Sequence, residues 1–228
     1  MDTRCLSCFS QTQDKDYIDY DTLRPFCTDI CFMNFMSKRS DSYSMSVIKK
    51  HNYKIHFSNE MRKIMEDHIL WTRLYIISVA HDIGDDKATL NRLLKNQEDI
   101  GTLFGKFYGE NVKVLVTKLF KEHIEIAGQI IDAVKNKKPS DLLIKKWYKN
   151  AKEISKALSK LNPLNWEQKT VQEAMDKHLS DTLKEASNRL NKQYEQDIKD
   201  YENIHNHILI MADLFSTGIM KQFPEKFQ

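Results

Sequence analysis

Four cysteines, all within the first 31 residues, constrain this chain more than any other feature of its sequence. Cys5 and Cys8 form one close-set pair, Cys27 and Cys31 form a second, and the rest of the chain has none. Each pair can span one edge of a coordination tetrahedron, so the two pairs together match the ligand set of a structural Zn²⁺ ion. The spacing predicts a four-cysteine zinc finger at residues 1–45.

Two disulfides, or four unrelated buried thiols, are the alternatives to zinc. Disulfides persist in oxidising compartments, and the N-terminus shows no apolar core of a secretory signal. Unrelated thiols would not all fall within one 27-residue window. We therefore expect one structural zinc ion and an intracellular, soluble protein.

The second cysteine pair carries a resemblance. Residues 25–35 read PFCTDICFMNF, and this stretch is similar to one half of the treble-clef fingers of the TRASH, MYM and FCS group. The resemblance implies that a knuckle carries the first two cysteines, that a short helix carries the last, and that Phe32 and Phe35 cover the metal. Thr28 stands where those fingers usually have serine.

The charge of the predicted finger bears on its partner. Residues 1–45 contain seven acidic and five basic side chains, a balance of 5 − 7 = −2, and four thiolates add further negative charge. Because binding to phosphates needs a positive surface, nucleic acid is an unfavourable partner. Contact with a protein, self-association or a purely structural role fits better.

The composition of the whole chain favours helices. Its 228 residues include six glycines and four prolines, and long stretches are rich in Lys, Glu, Leu, Ile and Ala. No convincing strand run or hairpin dipeptide occurs, and no apolar run reaches the roughly 18 residues that span a membrane. The formal charge of +3 is too small to imply a polyanionic partner.

The few helix-breaking residues divide the chain into segments. After a linker at 46–57, we expect a bundle over 58–228, with its first helix opening at Ser58 and ending near Ala80. Further helices are predicted from Lys87 to Gly101 or Gly105, and over 110–135, 141–161, 166–190 and 194–220. The predicted fold class is all-α: an up-and-down bundle of five or six helices beside a small zinc finger.

Three histidines stand in the middle of predicted long helices. His68, His123 and His178 recur at intervals of 55 residues, and His207 has a similar context on the last helix. Facing helices could each offer one imidazole to a metal ion inside the bundle. Alternatively, each histidine is a half-buried polar residue bonded to a neighbour, and the spacing reflects duplication or chance.

The number of Glu-x-x-His motifs in the sequence argues against a di-iron site. A carboxylate-bridged di-iron bundle needs two Glu-x-x-His pairs, and only Glu202 to His205 fits that motif. A mononuclear site of His68, His123 and His178 remains open, with Glu185 as a further candidate. No glycine-rich phosphate loop and no Gly-x-Ser-x-Gly elbow points to another enzyme chemistry. The three tryptophans are interpreted as core or interface anchors: Trp71, Trp147 and Trp166.

A second resemblance concerns the helical part. The stretches WTR at 71–73, RLLKNQEDIG at 92–101, and MAD at 211–213 followed by QFP at 222–224 are similar to segments of uncharacterised bacterial helical proteins. The resemblance implies a bundle over most of residues 60–228, with counterparts of the three histidines, and it implies no activity. Because those proteins lack the finger and lysine far outnumbers arginine here, a large DNA virus is one expected source.

These observations lead to one functional expectation and two alternatives. The first is a zinc-binding, non-enzymatic interaction or structural protein, in which the finger docks a partner and the bundle is a rigid body. The second is a metal-binding bundle, or metalloenzyme, with a second metal at His68, His123 and His178. The third is a nucleic-acid-associated factor.

Overall fold

The structure is a computed structural model that describes residues 17–19, 24–26 and 42–227, with side chains from Tyr53 onward. Two compact units meet in sequence between Tyr53 and Lys54. The four cysteines, Phe32 and Phe35 lie outside the described residues. The zinc finger and its ligands therefore stay a prediction.

Two short strands stand in the N-terminal unit. Strand β1 (Tyr17–Asp19) pairs antiparallel with β2 (Arg24–Phe26), and Tyr17 is opposite Phe26. Sequence analysis did not predict them, because a three-residue strand is too short to show an alternating pattern.

Residues 42–227 form six helices. They are α1 (Ser42–His81), α2 (Asp86–Tyr108), α3 (Glu110–Lys135), α4 (Asp141–Leu161), α5 (Gln168–Leu190) and α6 (Tyr194–Gln222), and a 3₁₀ turn follows at Pro224–Phe227. Short turns join them, and each helix from α2 to α6 packs against the next one along the chain. The predicted helical bundle is confirmed. In the part of the chain that the structure describes, no helix is both long and apolar enough to cross a membrane.

Most helix boundaries agree with the sequence, and two do not. The bounds of α3 and α4 are as predicted. The predicted start of the first helix at Ser58 is wrong: α1 begins at Ser42, so the segment assigned as a linker, residues 46–57, has a helical backbone. The boundary between the two units nevertheless falls within that segment.

The predicted end of α2 at Gly101 or Gly105 is also wrong, and the packing explains why. A Cβ atom at Gly101 would lie 2.0 Å from Oγ1 of Thr117, and one at Gly105 would lie 2.8 Å from Cβ of Lys113. Both glycines therefore allow α3 to approach α2 closely. They stay within the helix because neither requires a positive φ.

The core is built around large side chains. Trp166 is fully buried, donates from Nε1 to the carbonyl oxygen of Leu214 at 3.1 Å, and packs against Phe104 and Phe215. Trp147 is also buried, which confirms both tryptophans as core anchors. Trp71 is half-buried, with the guanidinium of Arg92 over its ring.

Candidate functional site

The structure brings the three predicted histidines together inside the bundle. His68 on α1, His123 on α3 and His178 on α5 are all buried. The ring centre of His178 lies 5.5 Å from that of His68 and 6.3 Å from that of His123. We call these three residues the histidine cluster. Their spacing of 55 residues thus places one imidazole on each of three helices that face a common interior.

A cavity of about 230 Å³ opens beside the histidine cluster. Its wall is apolar over most of its area, and no charged side chain is among the described residues that line it. Besides the cluster, the lining residues are Thr72, Ile124, Ala127, Ile130, Ile131, Val134, Ile144, Trp147, Thr182, Leu183, Ala186 and Ser187. The two threonine hydroxyls bond to the helix itself, since each donates to the carbonyl oxygen four residues earlier.

A hydrogen-bond chain fixes the proton of His123. Its Nδ1 lies 3.1 Å from Oδ1 of Asn150, and the amide nitrogen of Asn150 donates to the carbonyl oxygen of Leu119. The second bond orients the amide, so Nδ1 of His123 must carry the hydrogen. Nε2 of the neutral ring then keeps a lone pair. Trp147 packs on the same ring at 5.0 Å and donates to the carbonyl oxygen of His123.

His68 contacts an amide nitrogen instead of an amide oxygen. Nε2 of Gln97 donates to the carbonyl oxygen of Leu93 at 2.7 Å and to Oδ1 of Asn96 at 3.1 Å, and these two bonds use both of its hydrogens. Nδ1 of His68 lies 3.3 Å from the same nitrogen, which is the longest of its three contacts. Oε1 of Gln97 is buried without a hydrogen-bond partner.

His178 differs from both, since its Nδ1 is buried without a hydrogen-bond partner. A buried, unpaired polar atom costs about 1–3 kcal/mol, so it calls for an explanation. His207 on α6 does not share this feature: its Nε2 donates to the carbonyl oxygen of Ala174 at 2.8 Å. His207 is thus buried and bonded to a neighbour, as the alternative interpretation expects of a structural histidine, except that it is more than half-buried.

Burial keeps the whole histidine cluster uncharged. It lowers the pKa of His68 to about 4. Burial together with the nearby His68 lowers the pKa of His123 to about 3. The pKa of His178 falls well below its ordinary value for the same reasons. All three rings are therefore neutral at pH 7.

Glu185 does not join the histidines. Its carboxylate accepts from Arg73 at 2.7 Å, and Arg73 also donates to both carboxylate oxygens of Asp197 at 3.0 and 3.1 Å. Arg189 donates to Asp197 at 3.1 Å. We call Arg73, Glu185, Arg189 and Asp197 the ionic cluster.

Burial and neighbouring charges shift the pKa values of two side chains in the ionic cluster. Burial, together with the negative charges of Asp197 and Asp200, raises the pKa of Glu185 to about 7, although Arg73 acts to lower it. Burial also opposes the charge on Arg73, but the bonds to Asp197 and Glu185 outweigh it and raise the pKa of Arg73. Asp200 accepts separately from Asn188 and Gln196.

Two further outcomes concern metal ligands. Within residues 54–227, no group of three or more His, Cys, Asp and Glu side chains is arranged to hold a metal ion. His205, which the single Glu-x-x-His motif supplied, lies 2.8 Å from Glu66 on α1. Sequence analysis missed Asn150 and the pairing of Glu185 with Arg73, since neither contact leaves a local pattern in the sequence.

Comparison with known proteins gives no match to a protein-family model, to a curated protein or to a solved structure. The two resemblances noted in the sequence therefore remain expectations.

Proposed function

We propose that the helical domain binds a small, mainly apolar molecule in the cavity beside the histidine cluster. The observation that carries this proposal is the cavity itself, with its volume of about 230 Å³ and its apolar wall. A dry cavity of about 150 Å³ in another protein is large enough to bind benzene. This one has room for a larger molecule, of the size of a substituted aromatic ring.

The histidine cluster supports a more specific proposal, that the ligand carries one neutral polar group. Neutral imidazoles offer both a donor and an acceptor, and Nε2 of His123 keeps a free lone pair. A charged ligand is unfavourable because no charged side chain among the described lining residues would compensate its burial. A hydroxyl group on an apolar body matches these conditions.

Binding of 1-naphthol and of naphthalene to the full-length protein tests the proposal. Isothermal titration should give one 1-naphthol per chain, bound more tightly than naphthalene because the hydroxyl group can bond to an imidazole. Ala186→Phe should reduce the affinity at least tenfold, since Ala186 lines the cavity. Ala174→Leu, on the same helix but outside the lining, is the matched control and should bind as the wild type does.

Two results would contradict the proposal. One is a folded protein that binds neither compound. The other is an Ala186→Phe variant that binds both compounds as tightly as the wild type. His123→Phe separates the two parts of the proposal, because it removes the free lone pair of Nε2, and should keep the affinity for naphthalene while losing the preference for 1-naphthol.

The cysteine pattern supports a separate proposal for the N-terminal segment: a zinc-stapled finger that docks a protein partner or a second copy of the chain. Cys27→Ser should remove the zinc and the partner binding while the helical circular dichroism persists. Partner binding that survives the loss of zinc would contradict it. Retention on heparin with a steep dependence on salt would instead favour nucleic acid.

A further inference from the structure

A second, much smaller void touches the same three histidines. Its volume is about 10 Å³, which is room for a single atom. Its wall combines the histidine cluster with three methionines and three apolar side chains: Met65, Met175, Met211, Ile100, Phe120 and Ile208. We call Met65, Met175 and Met211 the methionine set.

The helical repeat explains why imidazole and thioether groups meet here. Met65 precedes His68 by three residues on α1, and Met175 precedes His178 by three residues on α5. Residues three apart lie on the same face of a helix, so each pair points to one side. Met211 comes from α6, and all three methionines are buried.

The chemistry of this wall selects among metal ions. Thioether sulfur and imidazole nitrogen are the ligands of soft ions such as Cu(I), whereas Mg²⁺, Ca²⁺ and Mn²⁺ need oxygen ligands. No carboxylate is among the described residues that line the void. Without a carboxylate to neutralise it, a single positive charge is less costly to bury than a double one.

The histidines are prepared for such a role in two ways. The bond from Nδ1 of His123 to Asn150 is the kind of outer contact that orients a metal-binding histidine and leaves Nε2 free. Nδ1 of His178 is buried without a protein partner.

We propose that the void between the histidine cluster and the methionine set binds one Cu(I) ion, with His123 and His178 as nitrogen ligands and thioethers of the methionine set as sulfur ligands. Imidazoles that bind one ion at about 2 Å have ring centres about 5–5.5 Å apart. The observed 6.3 Å between His123 and His178 would need to shorten by about 1 Å on binding. Met side chains are flexible enough to follow that movement.

Titration with Cu(I) in competition with bicinchoninate tests the proposal. The full-length chain is used with all four cysteines replaced by serine, because thiolates would bind the ion themselves. One Cu(I) per chain is expected. Met175→Leu should lower the affinity at least tenfold, since leucine keeps the apolar volume and removes the sulfur. Met61→Leu is the matched control: it is equally buried on α1 but does not line the void.

Spectroscopy identifies the ligands directly. X-ray absorption of the same copper-loaded chain should show both nitrogen and sulfur neighbours. In the wild-type chain, Ag(I) as a stand-in for Cu(I) should shift the ¹³C-methyl signals of the methionine set and leave that of Met61 in place. This second measurement keeps the test valid if the serine variant does not fold.

An affinity unchanged by removal of all three sulfurs, a copper site without sulfur neighbours, or unshifted methyl signals would each overturn the proposal. The two proposals for this domain fail separately. Loss of 1-naphthol binding contradicts the cavity proposal, whereas the methionine set does not line that cavity and its leucine variants should still bind 1-naphthol.

Discussion

The histidine cluster and the ionic cluster are close in sequence, but they differ in how their buried polar groups are hydrogen-bonded. His68 precedes Arg73 by five residues on α1, and His178 precedes Glu185 by seven on α5. In the ionic cluster, Arg73 and Asp197 share two hydrogen bonds, and Glu185 and Arg189 add one each, although Nε of Arg189 is buried without a partner. In the histidine cluster, a buried ring nitrogen of His178 has no partner and empty space adjoins the rings.

This difference indicates different roles: the ionic cluster is suited to stabilising the fold, and the histidine cluster is suited to binding a ligand. Polar groups that bond mainly to one another hold helices in register. Polar groups with free lone pairs beside a cavity keep that capacity, and they cost stability until a ligand supplies the missing contact. The two clusters also differ in the direction of their pKa shifts, since burial lowers the pKa of the histidines and raises the pKa of Glu185.

Acid should produce the largest effect, and it should act through the histidine cluster. The unfolded chain takes up protons near pH 6.5, whereas the folded rings resist protonation down to about pH 4 or below. The stability is therefore complete above pH 6.5 and is lost as the pH falls. Three such groups lower the free energy of unfolding by up to about 4 kcal/mol per pH unit between pH 6 and 4.

Urea denaturation across that pH range measures this slope. His178→Leu should reduce it by about a third, because one of three coupled groups no longer titrates. Equal slopes for the variant and the wild type would show that the acid sensitivity arises elsewhere.

Removing one charge from the ionic cluster should be the next largest effect. Asp197→Asn leaves Arg73 and Arg189 facing a neutral group in a fully buried position. Breaking a buried pair in this way costs about 3–5 kcal/mol. Urea denaturation at pH 7 measures the loss.

A surface pair provides the control. Asp213 and Arg62 form an ion pair with side chains 46% and 44% exposed, and Asp213→Asn should cost no more than about 1 kcal/mol. If the two variants lose similar stability, burial does not distinguish the ionic cluster from an ordinary surface pair.

The pH dependence from Glu185 should be smaller and of opposite sign to that from the histidines. Its folded pKa of about 7 lies above its ordinary 4.5, so the folded state holds the proton more tightly. Its contribution to stability is present at low pH and is lost as the pH rises through 7. Glu185→Gln cannot ionise, so its stability relative to the wild type should rise by about 3 kcal/mol from pH 4.5 to 8. Parallel stability curves for the two proteins would contradict this.

Single replacements within the histidine cluster should have the smallest effects at pH 7.5, and they should differ. His123→Leu leaves Oδ1 of Asn150 buried without its donor and should cost about 1–3 kcal/mol. His178→Leu removes an atom that has no partner and should be close to neutral. Thermal unfolding of both variants without added metal checks the contrast. Equal losses would mean that the unpaired nitrogen has no energetic consequence.

Local signals were enough to predict much of the fold. The apolar spacing in α3 predicted its bounds correctly. The start of α1 was missed because a capping signal at Ser58 was given too much weight. Residues 42–57 contain neither glycine nor proline, so nothing in them stops a helix.

The sequence predicted that the histidines could converge, but it did not predict the ionic cluster. Mid-helix positions at regular spacing indicated that the histidines could converge, and the structure brings them together. The ionic cluster could not be predicted, because Arg73 and Glu185 are 112 residues apart and look like surface residues on their own helices. Met65 and Met175 stand three residues before His68 and His178, but that spacing alone does not indicate a metal site.

The order of the helices also bears on how the chain folds. Because each helix from α2 to α6 packs against the next along the chain, most contacts are local in sequence, which favours fast folding. The histidine cluster draws on α1, α3 and α5, so no pair of adjacent helices can form it. Its environment is therefore a late reporter on the folding pathway: histidine signals with native chemical shifts should appear only after the helical signal is complete.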